Sequence, residues 1–320
     1  MTSSPGRAEA VYDTIATVPE LADVRDALHG GDWPAAEAAL RARPADEAAY
    51  AIELLAEMDG IEGLLEEAVG AAPASACALT ALARRYIVIG WQIRTGARAE
   101  DVSREQFEAF RSWLVKAEQL LIDACALDES YAPAWGVRVL TARALEVGPA
   151  EARRRYDRVR RLSPHDYPAQ THMLQYLLPK WAGSEEQAHD FARNAAAEAP
   201  PGSHSGALVP IVHIERWLDA DGDAGGAYMA QPSVVEEVTD AAARSVLHPD
   251  YAAGPIGVQT HSAFAMALWL AGRNELAAVH FAALGGRATE FPWAYTFDDP
   301  TRLDQLRTAV LGADPRADRT

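Results

Sequence analysis

Lysine is almost absent from this 320-residue chain: Lys116 and Lys180 are the only two. Basic residues are otherwise arginine, and 29 basic face 46 acidic residues, for a net charge of −17. Nucleic acids and anionic membranes are usually met with clustered Lys and Arg, so neither is expected as a partner. Cysteine is scarce too. Cys77 and Cys125 stand far apart with no CxxC spacing, which excludes a cysteine-ligated zinc site and fits a reducing compartment. Long apolar runs are missing: the longest, Ala263 to Gly272, is far too short to span a bilayer. Met1 to Ala10 is polar and lacks the apolar core of a secretory signal, so a cytoplasmic location is expected. There is no G-x-S-x-G, no Walker loop and no G-x-G-x-x-G, and no cofactor is expected.

What the chain has is alanine, with few β-branched residues and little strand-like alternation. Alanine loses no side-chain entropy in a helix, and 49% hydrophobic residues suffice for a large core or one shared along stacked repeats. The expected fold is therefore all-α. After a loose tail over 1–17, a helix opens at Pro19 and ends at Gly30-Gly31; Asp32 caps a second, with Trp33 and Pro34 in its first turn, running to about Arg43. Further helices are expected over 46–58, 60–70, 75–94 and 103–127. Ser103 with Gln106 forms a capping-box signature for the last. Phe107, Phe110, Leu114, Ala117, Leu121 and Ala124 recur there at spacings of three and four, one apolar stripe.

A phrase then repeats. Leu127-Asp128-Glu129-Ser130-Tyr131 returns as Leu162-Ser163-Pro164-His165-Asp166-Tyr167 and as Leu247-His248-Pro249-Asp250-Tyr251. Each reads as a helix end, a Pro/Asp turn and a tyrosine opening the next helix. From Tyr131 to Tyr167 is 36 residues, near the tetratricopeptide period of about 34. Stacked antiparallel helix pairs, a TPR-like α-solenoid, are the expected architecture, since one pair cannot bury its stripe alone. The expected organisation is N-terminal pairs over 18–72, repeats over 73–198, an irregular insert with one helix over 199–232, and a final repeat and cap over 233–320.

The segment Met173 to Ser184, ending Pro179-Lys180-Trp181-Ala182-Gly183-Ser184, resembles a bacterial family of tetratricopeptide-like domains, of largely unassigned function, whose signature helix ends in Pro-Arg-Trp-Gly-Gly-Ser. Here Lys180 replaces the Arg and Ala182 the first Gly. The resemblance takes in Glu185 to Ala192 and the Gly272-Arg273-Asn274 turn, and covers about residues 75–300. It implies fold; no reaction and no catalytic residue come with it. From the residues themselves, Pro179 stops a helix, Gly183 permits a positive φ, Ser184 caps the next helix, and Trp181 packs at the junction.

Eight of the nine histidines fall after residue 160. If consecutive first helices line one groove, His172, His213 and His261 could meet as a catalytic set with Glu215; the opposing reading satisfies each histidine separately. Residues proposed to bind a ligand are Tyr176, Trp181, Arg216, Trp217 and His165. No metal site is expected: Glu185 and His189 lack the second His of an HExxH helix, and Asp219-Asp221-Asp223 starts a calcium-loop pattern with Ala224 at its sixth and Ala230 at its twelfth position. The Arg153-Arg154-Arg155, Arg158, Arg160, Arg161 run reads as a solvated helix face. Two functions follow. One is a module binding a protein or peptide in a concave acidic groove, favouring basic or amphipathic segments. The other is an enzyme or small-molecule binder, in specialised metabolism, with a His-lined pocket between repeats.

Overall fold

Capping sets where the helices begin. The computed structural model describes residues 15, 18–95, 101–220, 222–297 and 300–312; except for Ile15, the tail expected over 1–17, with its polar start, lies outside those. Asp32 accepts the Ala35 N–H at 3.0 Å, and Ser103 and Gln106 close the expected capping box. Each cap satisfies amides that the first turn leaves open. The helices are α1 (Ala22–His29), α2 (Trp33–Arg41), α3 (Ala45–Ala56), α4 (Glu62–Ala71), α5 (Ala76–Arg94), α6 (Arg104–Leu127), α7 (Ala132–Ala144), α8 (Pro149–Leu162), α9 (Tyr167–Tyr176), α10 (Glu185–Glu198), α11 (Leu208–Asp219), α12 (Ala224–Met229), α13 (Pro232–Arg244), α14 (Gly257–Leu270), α15 (Asn274–Leu284), α16 (Glu290–Trp293) and α17 (Pro300–Gly312). Among the described residues there is no strand, and no helix is long and apolar enough to cross a membrane.

By compactness the chain divides into two units, one of Pro19–Ala188 and one of His189–Thr320 with the residues through Val18. In the first, α1 packs on α2, α5 on α6 and α7 on α8. The α6 stripe is buried at Phe110, Leu114, Ala117, Leu121 and Ala124, about 1.5–3 kcal/mol for each large side chain. Gly90 of α5 lets α6 come close: a β-carbon there would lie 3.2 Å from the Phe110 ring. In the second unit, α14 pairs with α15 through the Gly272 turn, at φ +69°.

Three local expectations change. Tyr251 does not open a helix. Turns occupy 254–256 and α14 starts at Gly257, because Gly254 is followed by Pro255, which disfavours helical geometry in the residue before it. Within the insert, α12 adds a second short helix where a loop was expected. It packs against α11 because Gly225 carries no β-carbon, which would sit 2.7 Å from Trp217 Cδ1. Gly183 does not take a positive φ. Glycine is needed there because a β-carbon would lie 2.0 Å from the Leu177 carbonyl oxygen. Ser184 does cap α10, accepting the Gln187 N–H at 3.2 Å.

Candidate functional site

The arginine run of α8 is not a uniform solvated face. Arg155 is 4% exposed and turns inward. Arg154, Arg158 and Arg161, spaced i, i+4, i+7, share the adjoining side of the helix and line a cleft of about 390 Å³. Residues of α6 (Ile122, Cys125, Ala126), Glu129 in the following turn, and Trp135 and Arg138 of α7 complete it. The Arg138 and Arg158 guanidinium carbons lie 5.2 and 5.6 Å from the Trp135 ring centroid, within cation–π range. The indole N–H donates to the Glu129 carbonyl at 3.1 Å, which fixes the ring.

Below the cleft, Glu118 of α6 holds the arginines. Its Oε1 accepts from Arg138 Nη2 at 2.9 Å and pairs with Arg155 Nη2 at 2.9 Å. Its Oε2 accepts from Thr141 Oγ1 at 2.5 Å and from Arg155 Nη1 at 3.2 Å. Arg155 also bonds Glu151 and the Arg138 carbonyl. Higher up, Arg154 takes Glu151 in a two-point pair at 2.7 Å, and Arg158 takes Glu129 at 2.7 Å. The Arg154 and Arg155 bonds, the first the stronger, hold the Glu151 carboxyl down at about 2. Burial pushes the Cys125 thiol up, so it stays protonated. Arg138, Arg154, Arg155, Arg158 and Arg161 thus face Glu118, Glu129 and Glu151, and the cleft is locally positive in a chain of net charge −17. An anion entering it can replace the exposed Glu129 on Arg158 without disturbing the mostly buried Glu118 layer.

The histidines have separate partners. His172 Nε2 lies 2.6 Å from Glu53 Oε1, both side chains mostly buried. Burial raises the Glu53 carboxyl, but His172, with Arg84, outweighs it and leaves the pKa lowered. In the second unit, His213 contacts Tyr228, Glu237 and His189, whereas His261 Nδ1 sits 3.1 Å from His280 Nδ1. Glu215, 1% exposed, accepts from Tyr295 Oη at 3.2 Å. The Arg216 guanidinium lies 4.3 Å from the Tyr228 ring centroid, and Trp217 packs on Gly225. Tyr176 is buried with Ala142 and Ala152. Trp181 is 37% exposed, edge-on to Trp91 and 5.1 Å from the Arg143 guanidinium. His165 holds a left-handed turn at φ +65°, half-buried. Among the described residues no three His, Cys, Asp or Glu side chains are grouped to hold a metal; Asp221 of the Asp219–Asp223 pattern lies outside those residues.

Asp166 caps α9, accepting the Ala169 N–H at 3.0 Å through Oδ1, while its buried Oδ2 has no hydrogen-bond partner. Burial, with the nearby Asp46 and Glu53 charges, pushes its pKa up to about 7. A carboxyl raised on folding adds its stability below its unfolded pKa of about 4 and loses it as pH rises through 7. The stability of the wild type in urea should therefore weaken between about pH 4 and pH 7. Asp166→Asn keeps the cap oxygen without the charge, and its stability advantage over wild type should be roughly 2–3 kcal/mol larger at pH 8 than at pH 5. An equal effect at both pH values would contradict this.

The cleft was missed in the sequence because the consecutive arginines hid the i, i+4, i+7 subset facing Trp135. The chain matches no known family model, and no curated protein is similar to it by sequence.

Proposed function

We propose that this chain is a TPR-like helical-repeat binding module whose α6–α7–α8 cleft takes an acidic segment of a protein or peptide. The observation that carries the reading is the set of arginines around Trp135, held from below by the mostly buried Glu118. Guanidinium groups recognise carboxylates through paired N–H donors, and the buried Trp135 ring holds Arg138 and Arg158 beside one another. Helix pairs α7–α8 and α14–α15, each joined by a short turn, support the repeat reading, as does the likeness of the Pro179–Ser184 segment to the tetratricopeptide-like family. The net charge favours basic partners at long range; the cleft's own lining favours acidic ones at contact distance, where the unscreened local groups dominate.

Fluorescence anisotropy tests this with a labelled Glu/Asp-rich peptide containing one Phe and with a Lys/Arg-rich counterpart. The acidic peptide should bind more tightly and weaken with salt. Arg158→Glu combined with Arg161→Glu should cost at least 10-fold in affinity, on the order of one charge-assisted contact. Tighter binding of the basic peptide, or no loss in the double variant, would defeat the reading.

A further inference from the structure

The second unit contains a hydrogen-bonded chain of side chains unconnected with the arginine cleft. Tyr228 of α12 lies with its Oη 2.5 Å from His213 Nδ1. The other ring nitrogen, Nε2, lies 3.3 Å from Glu237 Oε2 on α13. Glu237 is anchored in turn by a two-point pair with Arg193 of α10, at 2.7 and 3.1 Å. The His213 bond, with Arg193 and against partial burial, holds the Glu237 carboxyl down at about 2. An ionised carboxylate can only accept, so Nε2 carries the imidazole proton and Nδ1 is left to accept the phenol O–H. The order is hydroxyl, base, orienting carboxylate, the arrangement by which a weak oxygen nucleophile is activated.

The surroundings suit that role. His213 is 2% exposed, so water does not compete for its lone pair, whereas Tyr228 is half-buried and reachable. The Arg216 guanidinium over the phenol ring and the charge of Arg193, which interacts with Tyr228, both favour a developing phenolate. His189 packs against His213 with ring centroids 4.9 Å apart. Burial, and then the neighbouring His213, lowers its pKa to about 4, so at neutral pH it adds no charge against an imidazolium next to it.

We propose that Tyr228 is a nucleophile for small activated acyl esters, with His213 as its general base and Glu237 as the positioning carboxylate. The phenol oxygen attacks the ester carbonyl carbon while its proton passes to His213 Nδ1. The new C–O bond forms, the bond to the leaving alkoxide breaks, and the imidazolium proton neutralises that alkoxide. The product is an O-acyl Tyr228 ester and a free alcohol. This stands independently of peptide binding in the cleft.

The test treats the full chain with 4-nitrophenyl acetate, follows 4-nitrophenol release and maps acetyl groups by peptide mass spectrometry. One acetyl should enter at Tyr228 well before the other tyrosines react. Tyr228→Phe should abolish the rapid phase. His213→Gln should slow it on the order of 100-fold, the usual contribution of a positioned base, and Glu237→Gln should slow it less. Acetylation of Tyr228 no faster than that of the other tyrosines in the same wild-type sample would overturn the proposal, with no dependence on how any variant folds. So would rapid acetylation of Tyr228 that persists unchanged in a folded His213→Gln protein.

Discussion

Glu118→Ala is expected to destabilise the first unit by about 3 kcal/mol, the lower end of the usual cost of removing one partner from a buried ion pair, because Glu118 itself is only mostly buried. The reason is what stays behind. Arg138 and Arg155, 9% and 4% exposed, both converge on this carboxylate, and neither can lose its proton. Arg155 keeps Glu151, but Arg138 loses its ion-pair partner and Thr141 Oγ1 its carboxylate acceptor. Chemical unfolding with and without the substitution measures the loss. Replacing all three charged residues together, as Glu118→Met, Arg138→Met and Arg155→Leu, should recover much of it, because no buried charge is then left unpaired. A single variant within 1 kcal/mol of wild type would mean that water reaches the arginines and that Glu118 does not hold the cleft. The same single variant should weaken acidic-peptide binding, since Arg138 would lose the contact that aims it.

The second unit should fail on mild acidification, through His261 and His280. Burial, first of all, lowers His280 to about 3, helped by the neighbouring His261. Burial also lowers His261 to about 4, with Arg287 and His204 adding to the effect. Phe264 stacks on His280 and Tyr251 stands edge-on to His261, so no carboxylate among these neighbours offsets a new positive charge. With two neutral rings, one Nδ1–H donates to the other Nδ1; a second proton would set two donors against each other. Histidines whose pKa is lowered on folding contribute stability above about pH 6.5, and that stability is lost as pH falls toward their folded values. Each group costs up to about 1.4 kcal/mol per pH unit in that window, so the pair should lose about 3–5 kcal/mol between pH 7 and pH 4.5. Glu151 and Glu237, both held near 2, keep their contributions until the pH drops below the ordinary carboxylate range. The loss above pH 4.5 is thus a histidine effect. His189, also lowered to about 4, adds a share, so His280→Gln, neutral at every pH, should remove about a third of the unit's loss in urea titrations at pH 7 and pH 4.5. An equal loss in wild type and His280→Gln across that interval would rule the mechanism out.

The contrast between helix ends and site residues shows what kinds of information a linear chain carries. Helix starts at Asp32 and Ser103 were legible because a cap is made by residues three apart in sequence. The stripe from Phe110 to Ala124 was legible because helical periodicity alone places those residues on one face. Gly183 was legible as a necessary glycine, but for the wrong reason, since the obstacle is the Leu177 carbonyl and not its own φ. The grouping of His172, His213 and His261 was an inference about neighbours across helices. The structure gives His172 to Glu53, His213 to Tyr228 and Glu237, and His261 to His280, at separations in sequence that no periodicity encodes.

By itself, then, the sequence determined an all-helical chain, most helix boundaries and their caps, because propensity, capping and periodicity act within one or two turns. Only the tertiary structure decided which arginines of α8 turn inward and which line a cleft, and which histidine meets which partner. Those outcomes depend on how helices pack, and packing is set by the burial of whole faces against one another rather than by any single residue's neighbours along the chain.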